Sequence, residues 1–82
     1  MTTNEQTPAD TMNDAIATVL RAEKAAQKLT YTDLVGATGI PAVSLKRYFA
    51  GEREITVRVL TLIAQALRMS PGEIWSKAME RL

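Results

Sequence analysis

A basic segment between residues 41 and 68 is the part of this sequence whose residue types best suit chemistry, and that chemistry is anion binding. Lysine and arginine neutralise phosphate, and the planar arginine fork can also bond two acceptors of one guanine. The segment holds five bases and two acids: Lys46, Arg47, Arg53, Arg58, Arg68, Glu52 and Glu54. It predicts a polyanionic partner, although both glutamates are near enough in sequence to pair with Arg53 and Arg58 instead.

The charge of the whole chain hides this segment. Ten bases and nine acids give the 82 residues a formal net charge of +1 at pH 7, whereas nucleic-acid-binding domains usually have a clear basic excess. Residues 1–14 carry three acids and no base, so residues 15–82 are net basic. The low total predicts weak non-specific affinity, so that tight binding would need base contacts and the pairing of two domains.

Several classes of function are excluded by residue types that the chain lacks. It has no Cys and no His, which excludes a disulfide framework, a zinc finger and a Cys/His nucleophile. Its Ser-Lys neighbours are one or two residues apart and do not face each other on a helix. We therefore predict no catalytic residues, no metal, no cofactor and no small-molecule substrate.

Targeting and membrane segments are also missing from the pattern. No apolar run approaches the roughly 18 residues of a membrane-spanning helix, and the polar, acidic N-terminus is unlike a signal peptide. These features predict a soluble cytoplasmic protein without a membrane partner.

Residues typical of helix starts and ends recur along the rest of the chain, and no segment alternates apolar and polar residues as a strand would. Residues 1–10 predict a disordered acidic and polar arm, and residues 11–82 predict one domain. Thr11 with Asp14 and Thr30 with Asp33 fit helix N-termini, as does the Ser70-Pro71-Gly72-Glu73 sequence. The predicted fold is an all-α, compact bundle of about five short helices: 12–28, 31–38, 41–50, and two that begin after Thr56 and Ser70.

The centre of this bundle has the outline of a helix-turn-helix. Residues 31–50 contain two short helices joined by a turn at Gly39, and Pro41 suits the first turn of the second of them. Leu34, Ile40, Leu45 and Tyr48 are spaced to hold the two helices at a fixed crossing. The outer side of the second helix is then free to enter a DNA major groove about 12 Å wide.

With these residues in order, the sequence resembles the Cro/lambda-repressor-like helix-turn-helix family of phage repressors and bacterial regulators. The resemblance runs from Ile16 to about Trp75. It rests on Ile16 and Leu20, Leu29-Thr30, Gly39-Ile40, Gly51 and the apolar run 62–67. It implies a four- or five-helix domain that binds a double-stranded operator as a dimer, with the third helix reading bases.

The resemblance also implies which residues meet DNA. The positions that face bases in the family match Ala42, Val43, Ser44, Lys46 and Arg47. Arg47 suits direct guanine readout, while Ala42 and Val43 could only contact thymine methyls or act by fit. Ser44 and Lys46 could each reach either a base or a phosphate. The positions that hold phosphate match Tyr31, Thr32, Arg53, Thr56 and Arg58, helped by backbone N–H groups at the starts of the second and fourth helices.

Three residues depart from the family pattern. The second helix begins with Tyr31 where the family commonly has Gln. Phe49 stands where the family often has Glu, so the usual ion pair with a base in the first helix, here Lys24, cannot form. Gly36 lies inside the second helix, where glycine costs about 1 kcal/mol relative to alanine.

The last helix leaves two interpretations open. Trp75, Met79 and Leu82 share one side of it, and they either pack in the core or form a patch for a homodimer or for a second domain of a longer chain. For the whole chain we predict a DNA-binding transcriptional repressor of phage-immunity type in a bacterial cell or phage-infected host. The alternative is an antitoxin or adaptor that uses the same fold as a protein-interaction module.

Overall fold

The computed structural model describes residues 7–82, and within that range every regular element is a helix. The predicted all-α fold of five helices is confirmed. Among these residues, no helix combines the length and the apolar character needed to cross a membrane. Numbered along the chain, the helices are α1 Pro8–Ala26, α2 Tyr31–Thr38, α3 Ala42–Phe49, α4 Val57–Ala66 and α5 Pro71–Met79.

The first helix begins earlier than the sequence pattern predicts. Its N-cap is Thr7, whose hydroxyl accepts the Asp10 N–H at 3.1 Å while the Asp10 carboxylate accepts the Thr7 N–H at 3.1 Å. Thr11 and Asp14 have the same spacing, but Thr7 is also followed by proline, whose missing N–H costs nothing at the first helical position. The prediction of Thr11 as the cap was therefore wrong.

Because of this earlier start, the prediction of a disordered arm is wrong for residues 8–10. Residues 8–10 are helical, and residues 1–6 lie outside the described part of the chain. At its other end α1 stops at Ala26, ahead of the predicted Lys28, because Lys28 adopts a left-handed φ of +57° that cannot continue a helix.

The predicted caps of three later helices are confirmed. The hydroxyls of Thr30, Thr56 and Ser70 each accept the backbone N–H three residues further on, at 3.1 Å. The start of α3 differs from the prediction, since Pro41 is its N-cap residue and no side chain caps the helix. Gly39 makes the turn before it with φ +76°, a conformation that glycine adopts without strain.

Each of the five helices packs on two others around one core. α1 packs on α3 and α5, α2 packs on α3 and α4, and α4 packs on α5. The predicted helix-turn-helix contacts are confirmed, because Leu34 and Leu45 are fully buried, Tyr48 is nearly so, and Ile40 packs against them half-buried. The largest fully buried side chains are Phe49, Leu20, Leu34, Leu45, Ile63, Leu67 and Ile74. Among the described residues no polar or charged side chain is buried, so the groups able to bind a partner lie at the surface.

Candidate nucleic-acid interface

The outer face of α3 carries the predicted base-facing residues. Val43 is 67% exposed, and Lys46 and Arg47 are exposed beside it. The opposite side holds Leu45, Tyr48 and Phe49 in the core. Ala42 and Ser44 are half-buried, so they lie at the two margins of this face rather than at its centre.

Sequence reasoning missed one position on the same face. Ala50 follows the last residue of α3 and is exposed. Its spacing from Val43 and Arg47 is seven and three residues, which puts all three on one side of a helix. That spacing was the available signal. With a methyl side chain, Ala50 lets another surface approach α3 closely.

Three features hold the C-terminal end of α3 in one conformation. The Phe49 carbonyl accepts a hydrogen bond from the guanidinium of Arg21 on α1. Gly51 then turns the chain with φ +77°, and a Cβ at this position would stand 3.0 Å from the Asp14 carboxylate. The N–H of Glu52 closes the helix end on the carbonyl of Arg47 at 2.9 Å. The outer face of α3 is therefore presented by a fixed helix.

The start of α2 lies against the last turn of α3. The Tyr31 ring meets the Phe49 ring edge to face, with centroids 5.7 Å apart. The ammonium of Lys24 lies 4.3 Å from the Tyr31 centroid, and that of Lys46 lies 5.7 Å from it. Tyr31 is half-buried and Thr32 beside it is exposed. Tyr31 is thus a structured part of this surface.

Two of the three departures from the family pattern, Tyr31 and Phe49, meet at this one place. Phe49 is fully buried and supports the ring of Tyr31, which in turn receives the Lys24 ammonium that has no glutamate to pair with. A cation over an aromatic face gains electrostatic attraction. Tyr31, supported by Phe49, therefore gives Lys24 an aromatic partner in place of the glutamate of the family.

The expected contribution of backbone N–H groups at the start of α2 needs correction. The Thr30 hydroxyl takes the Asp33 N–H at 3.1 Å, and the Asp33 carboxylate takes the Thr30 N–H at 2.9 Å. Hydrogen bonds from the Thr30 backbone and side chain lower the pKa of Asp33 below its ordinary value, so this carboxylate is ionised at neutral pH. Because a negative charge already occupies this helix end, its backbone N–H groups are poorly placed to bind phosphate. The side chains of Tyr31 and Thr32 stay predicted phosphate contacts.

The start of α4 is different. Thr56 caps it by accepting the Val59 N–H at 3.1 Å, and no acidic residue lies in its first turn. Arg58 is exposed in that turn. This end combines a positive helix dipole with a free guanidinium, as the predicted phosphate site requires.

The loop between α3 and α4 is fastened to α1. Asn13 Nδ2 donates to the carbonyl of Arg53 at 3.0 Å, and Asn13 Oδ1 accepts the N–H of Ile55 at 2.8 Å. Both ends of the Asn13 amide are thereby used. Asn13 is a positioning residue that the sequence pattern did not reveal, since its partners are some forty residues away.

Arg53 itself lies over an aromatic ring. Its guanidinium carbon is 5.3 Å from the Tyr48 centroid. The alternative partners were Glu52 and Glu54, but within residues 7–82 the ion pair joins Lys77 and Glu23, at 3.8 Å, and includes neither Arg53 nor Arg58. Both arginines are exposed and can meet phosphate.

A second exposed surface lies on α5 and on Leu82, which follows the helix. The predicted last helix included Leu82, whereas α5 ends at Met79. Ile74 and Ala78 are buried against the core, whereas Trp75, Met79 and Leu82 are 49%, 52% and 61% exposed. Trp75 also borders a cleft of about 430 Å³ whose other walls include Met12, Ile16 and Ile55. One part of the indole therefore packs and the other faces solvent, so Trp75 is not wholly a core residue, and its role in a partner patch stays a prediction. We call Trp75, Met79 and Leu82 the α5 stripe.

Metal ligands do not gather in the described part of the chain, where no three acidic side chains come together.

Known proteins share both the sequence pattern and the fold. The helix-turn-helix family model, of the Cro/C1 type, matches residues 20–74. Two solved structures of the clp gene regulator ClgR from Corynebacterium glutamicum are similar to this chain, each with a TM-score of 0.80 and 21% identity. One match covers 87% of this chain and 92% of that one, and the other covers 85% and 74%. At this identity they show the fold alone. Among curated proteins, none matches this chain.

Proposed function

The chain belongs to the Cro/C1-type helix-turn-helix family of DNA-binding transcriptional regulators, and from that premise we propose that it represses transcription by occupying a specific operator. This is the role of a phage-immunity repressor, carried out in the cytoplasm of a bacterial cell or phage-infected host. The protein acts by binding and performs no reaction.

The observation that carries this proposal is the outer face of α3. Val43, Lys46 and Arg47 are exposed on it, and α3 contains no acidic residue. The helix behind this face is fixed by a buried aromatic core. A rigid helix with a basic, carboxylate-free outer side fits a major groove, where base edges present hydrogen-bond acceptors between two rows of phosphates.

In the proposed complex each part has a separate task. Arg47 reads guanine through its fork, and Val43 and Ala42 contact thymine methyls while Ser44 donates to a base or a phosphate. Arg53, Arg58 and the capped start of α4 at Thr56 hold phosphate and so fix the register of α3. RNA polymerase is then kept from a promoter that overlaps the operator.

Two copies of the chain occupy the operator in this proposal. The α5 stripe supports pairing, because its three large apolar side chains are about half exposed and lose solvent contact when they meet a second copy. A dimer reads two half-sites about one helical turn apart on one face of the duplex. Pairing also offsets the weak electrostatic affinity that follows from a net charge of +1.

Selection of bound sites from a random duplex pool, followed by binding measurements with the selected DNA, tests the proposal. We expect half-sites with two-fold symmetry. Arg47→Ala should weaken binding to the selected site by about 1–3 kcal/mol and relax the preference at one base pair. Arg81→Ala removes the same charge far along the chain from α3 and is the matched control.

Two results would contradict the operator proposal. One is a pool that yields no enriched sequence. The other is a chain that retains no duplex even at low salt, where phosphate contacts are strongest. The second result would favour the protein-interaction alternative, in which the α5 stripe rather than α3 is the working surface.

A further inference from the structure

Lys24, Tyr31 and Lys46 come together from three different helices. Lys24 is in the last turn of α1, Tyr31 begins α2, and Lys46 is on α3. The two ammonium groups lie 4.3 and 5.7 Å from the centroid of the same ring. We call these three residues the lysine–tyrosine cluster.

This cluster is electrostatically incomplete. Two like charges lie against one aromatic ring, and within residues 7–82 neither lysine takes part in an ion pair. Glu23, next to Lys24 in the chain, pairs instead with Lys77 at 3.8 Å. Asp33, two residues after Tyr31, has its carboxylate engaged with the Thr30 backbone. The Tyr31 ring attracts each cation through its negative face, but it carries no net charge. A bound anion would relieve the repulsion between the ammonium groups.

We propose that the lysine–tyrosine cluster binds the phosphate backbone of DNA at the edge of the major groove that α3 enters. This inference rests on the proposed function and extends it in two ways. It adds Lys24, on α1, to the DNA-contacting residues. It also decides between the two alternatives for Lys46, in favour of phosphate binding over base reading.

The position of Lys46 on α3 supports the second change. Val43 and Arg47 lie at the centre of the exposed face, opposite Leu45, Tyr48 and Phe49. Lys46 lies to one side of that centre, toward α2, and its ammonium is held near Tyr31. A side chain that leans onto the neighbouring helix points to the rim of the groove, where the phosphates are.

The position of Tyr31 explains how the cluster keeps its shape. Its ring is braced edge to face by Phe49, which is fully buried. Lysine is a flexible point charge, and the braced ring limits where both ammonium groups can go. Tyr31 is therefore a positioning residue as well as a candidate hydrogen-bond partner for phosphate.

A salt series with the selected operator DNA tests this assignment on the full chain. Each phosphate contact contributes about 0.9 to the slope of log affinity against log salt. We expect Lys24→Gln and Lys46→Gln each to lower that slope by about one. Relative to the wild type, the affinity of each variant should therefore be about eightfold lower for each tenfold by which the salt concentration lies below 1 M. The double variant should lower the slope by about two. Base preference should stay unchanged in all three.

Arg81→Gln is the matched control, since it removes one exposed charge just beyond α5, and α5 contacts neither α2 nor α3. A slope for Lys24→Gln equal to that of Arg81→Gln would overturn the assignment of Lys24. An altered base preference in Lys46→Gln would return Lys46 to base reading. Thermal unfolding of each variant separates lost contacts from lost structure.

The positioning role of the Tyr31 ring can be tested separately from the charges of the two lysines. Tyr31→Phe keeps the ring and should keep most of the salt slope, whereas Tyr31→Leu removes the ring and should lower the slope without any change in net charge. Equal slopes for the wild type and Tyr31→Leu would contradict the positioning role. A wild-type chain that binds no DNA would instead overturn the proposed function itself.

Discussion

The outer faces of α3 and α5 are both exposed, and they differ in chemistry rather than in degree of exposure. α3 presents Lys46 and Arg47 around Val43, and α5 presents Trp75 and Met79. Each helix buries its other side, and each packs on α1. Exposure alone therefore does not distinguish a DNA-binding face from a protein-binding face, whereas the charge on the exposed side chains does.

The N-termini of α3 and α5 also differ, in whether a carboxylate already occupies the positive end of the helix. α5 begins with a capping box in which Glu73 bonds the Ser70 N–H at 2.9 Å, so a carboxylate occupies its positive end. α3 begins at Pro41 without any side-chain cap. A capped end stabilises the helix by itself, whereas an uncapped end leaves N–H groups for an anion. The comparison thus extends from side chains to backbone.

The largest effect is expected from the residue that supports the α3 face. Phe49→Ala should lower the free energy of unfolding by about 3–5 kcal/mol, because Phe49 is fully buried and also braces Tyr31. Urea denaturation measures the change. Val57→Ala, at a residue that is 82% exposed, should change it by less than about 0.5 kcal/mol. Equal effects of the two substitutions would show that α3 is not anchored as described.

A smaller effect is expected on the α5 side. Trp75→Ala should weaken dimerisation by about 2 kcal/mol, as expected for a large aromatic residue at the centre of an interface. Sedimentation equilibrium of the wild type and the variant measures the dissociation constant, with Val57→Ala as an exposed apolar control outside α5. If Trp75→Ala leaves the association state unchanged, the α5 stripe is not a dimer surface, and the contrast with α3 loses one of its two sides.

Gly36, on the outer side of α2, belongs to neither of the two faces compared above. Gly36 is exposed, and a Cβ added there would meet nothing within 4 Å. Gly36→Ala should therefore raise the free energy of unfolding by about 1 kcal/mol, since alanine favours the helix. Operator affinity should stay unchanged, because Gly36 lies on none of the proposed contact surfaces. A loss of affinity in a more stable variant would mean that the DNA-binding face extends along α2.

The smallest effect concerns the ionised cap of α2. The pKa of Asp33 is below its ordinary value of 3.8 because the folded chain donates hydrogen bonds to its carboxylate. A lowered folded-state pKa means that the stabilisation is present above the ordinary value and disappears as pH falls through the folded value. Wild type should therefore be more stable than Asp33→Asn at pH 6, and this difference should shrink below about pH 3.8. A difference that is constant down to pH 2.5 would contradict this cause.

Much of the fold was predictable because the signals for its helices are local. A threonine or serine with an acidic residue three positions on bonds its own neighbours, so Thr30 with Asp33 and Ser70 with Glu73 marked their helices correctly. The same rule failed at α1, where Thr7 and Thr11 both satisfied the spacing. Proline after Thr7 decided between them.

The apolar core was predictable for a related reason. Leu34, Leu45 and Tyr48 recur at helical spacing, and that spacing alone assigns them to one side of their helices. The sequence by itself thus determined the five-helix bundle, the helix-turn-helix within it and the basic character of α3.

Only the tertiary structure decided what the exposed residues touch. Asn13 reaches the loop around Arg53, and Lys24, Tyr31 and Lys46 meet across three helices. Such contacts depend on how the helices cross. Spacing along the chain reports which side of a helix a residue occupies, but it does not report which other helix faces that side. For this reason the residues that bind could be chosen from the sequence, whereas their grouping into a surface required the fold.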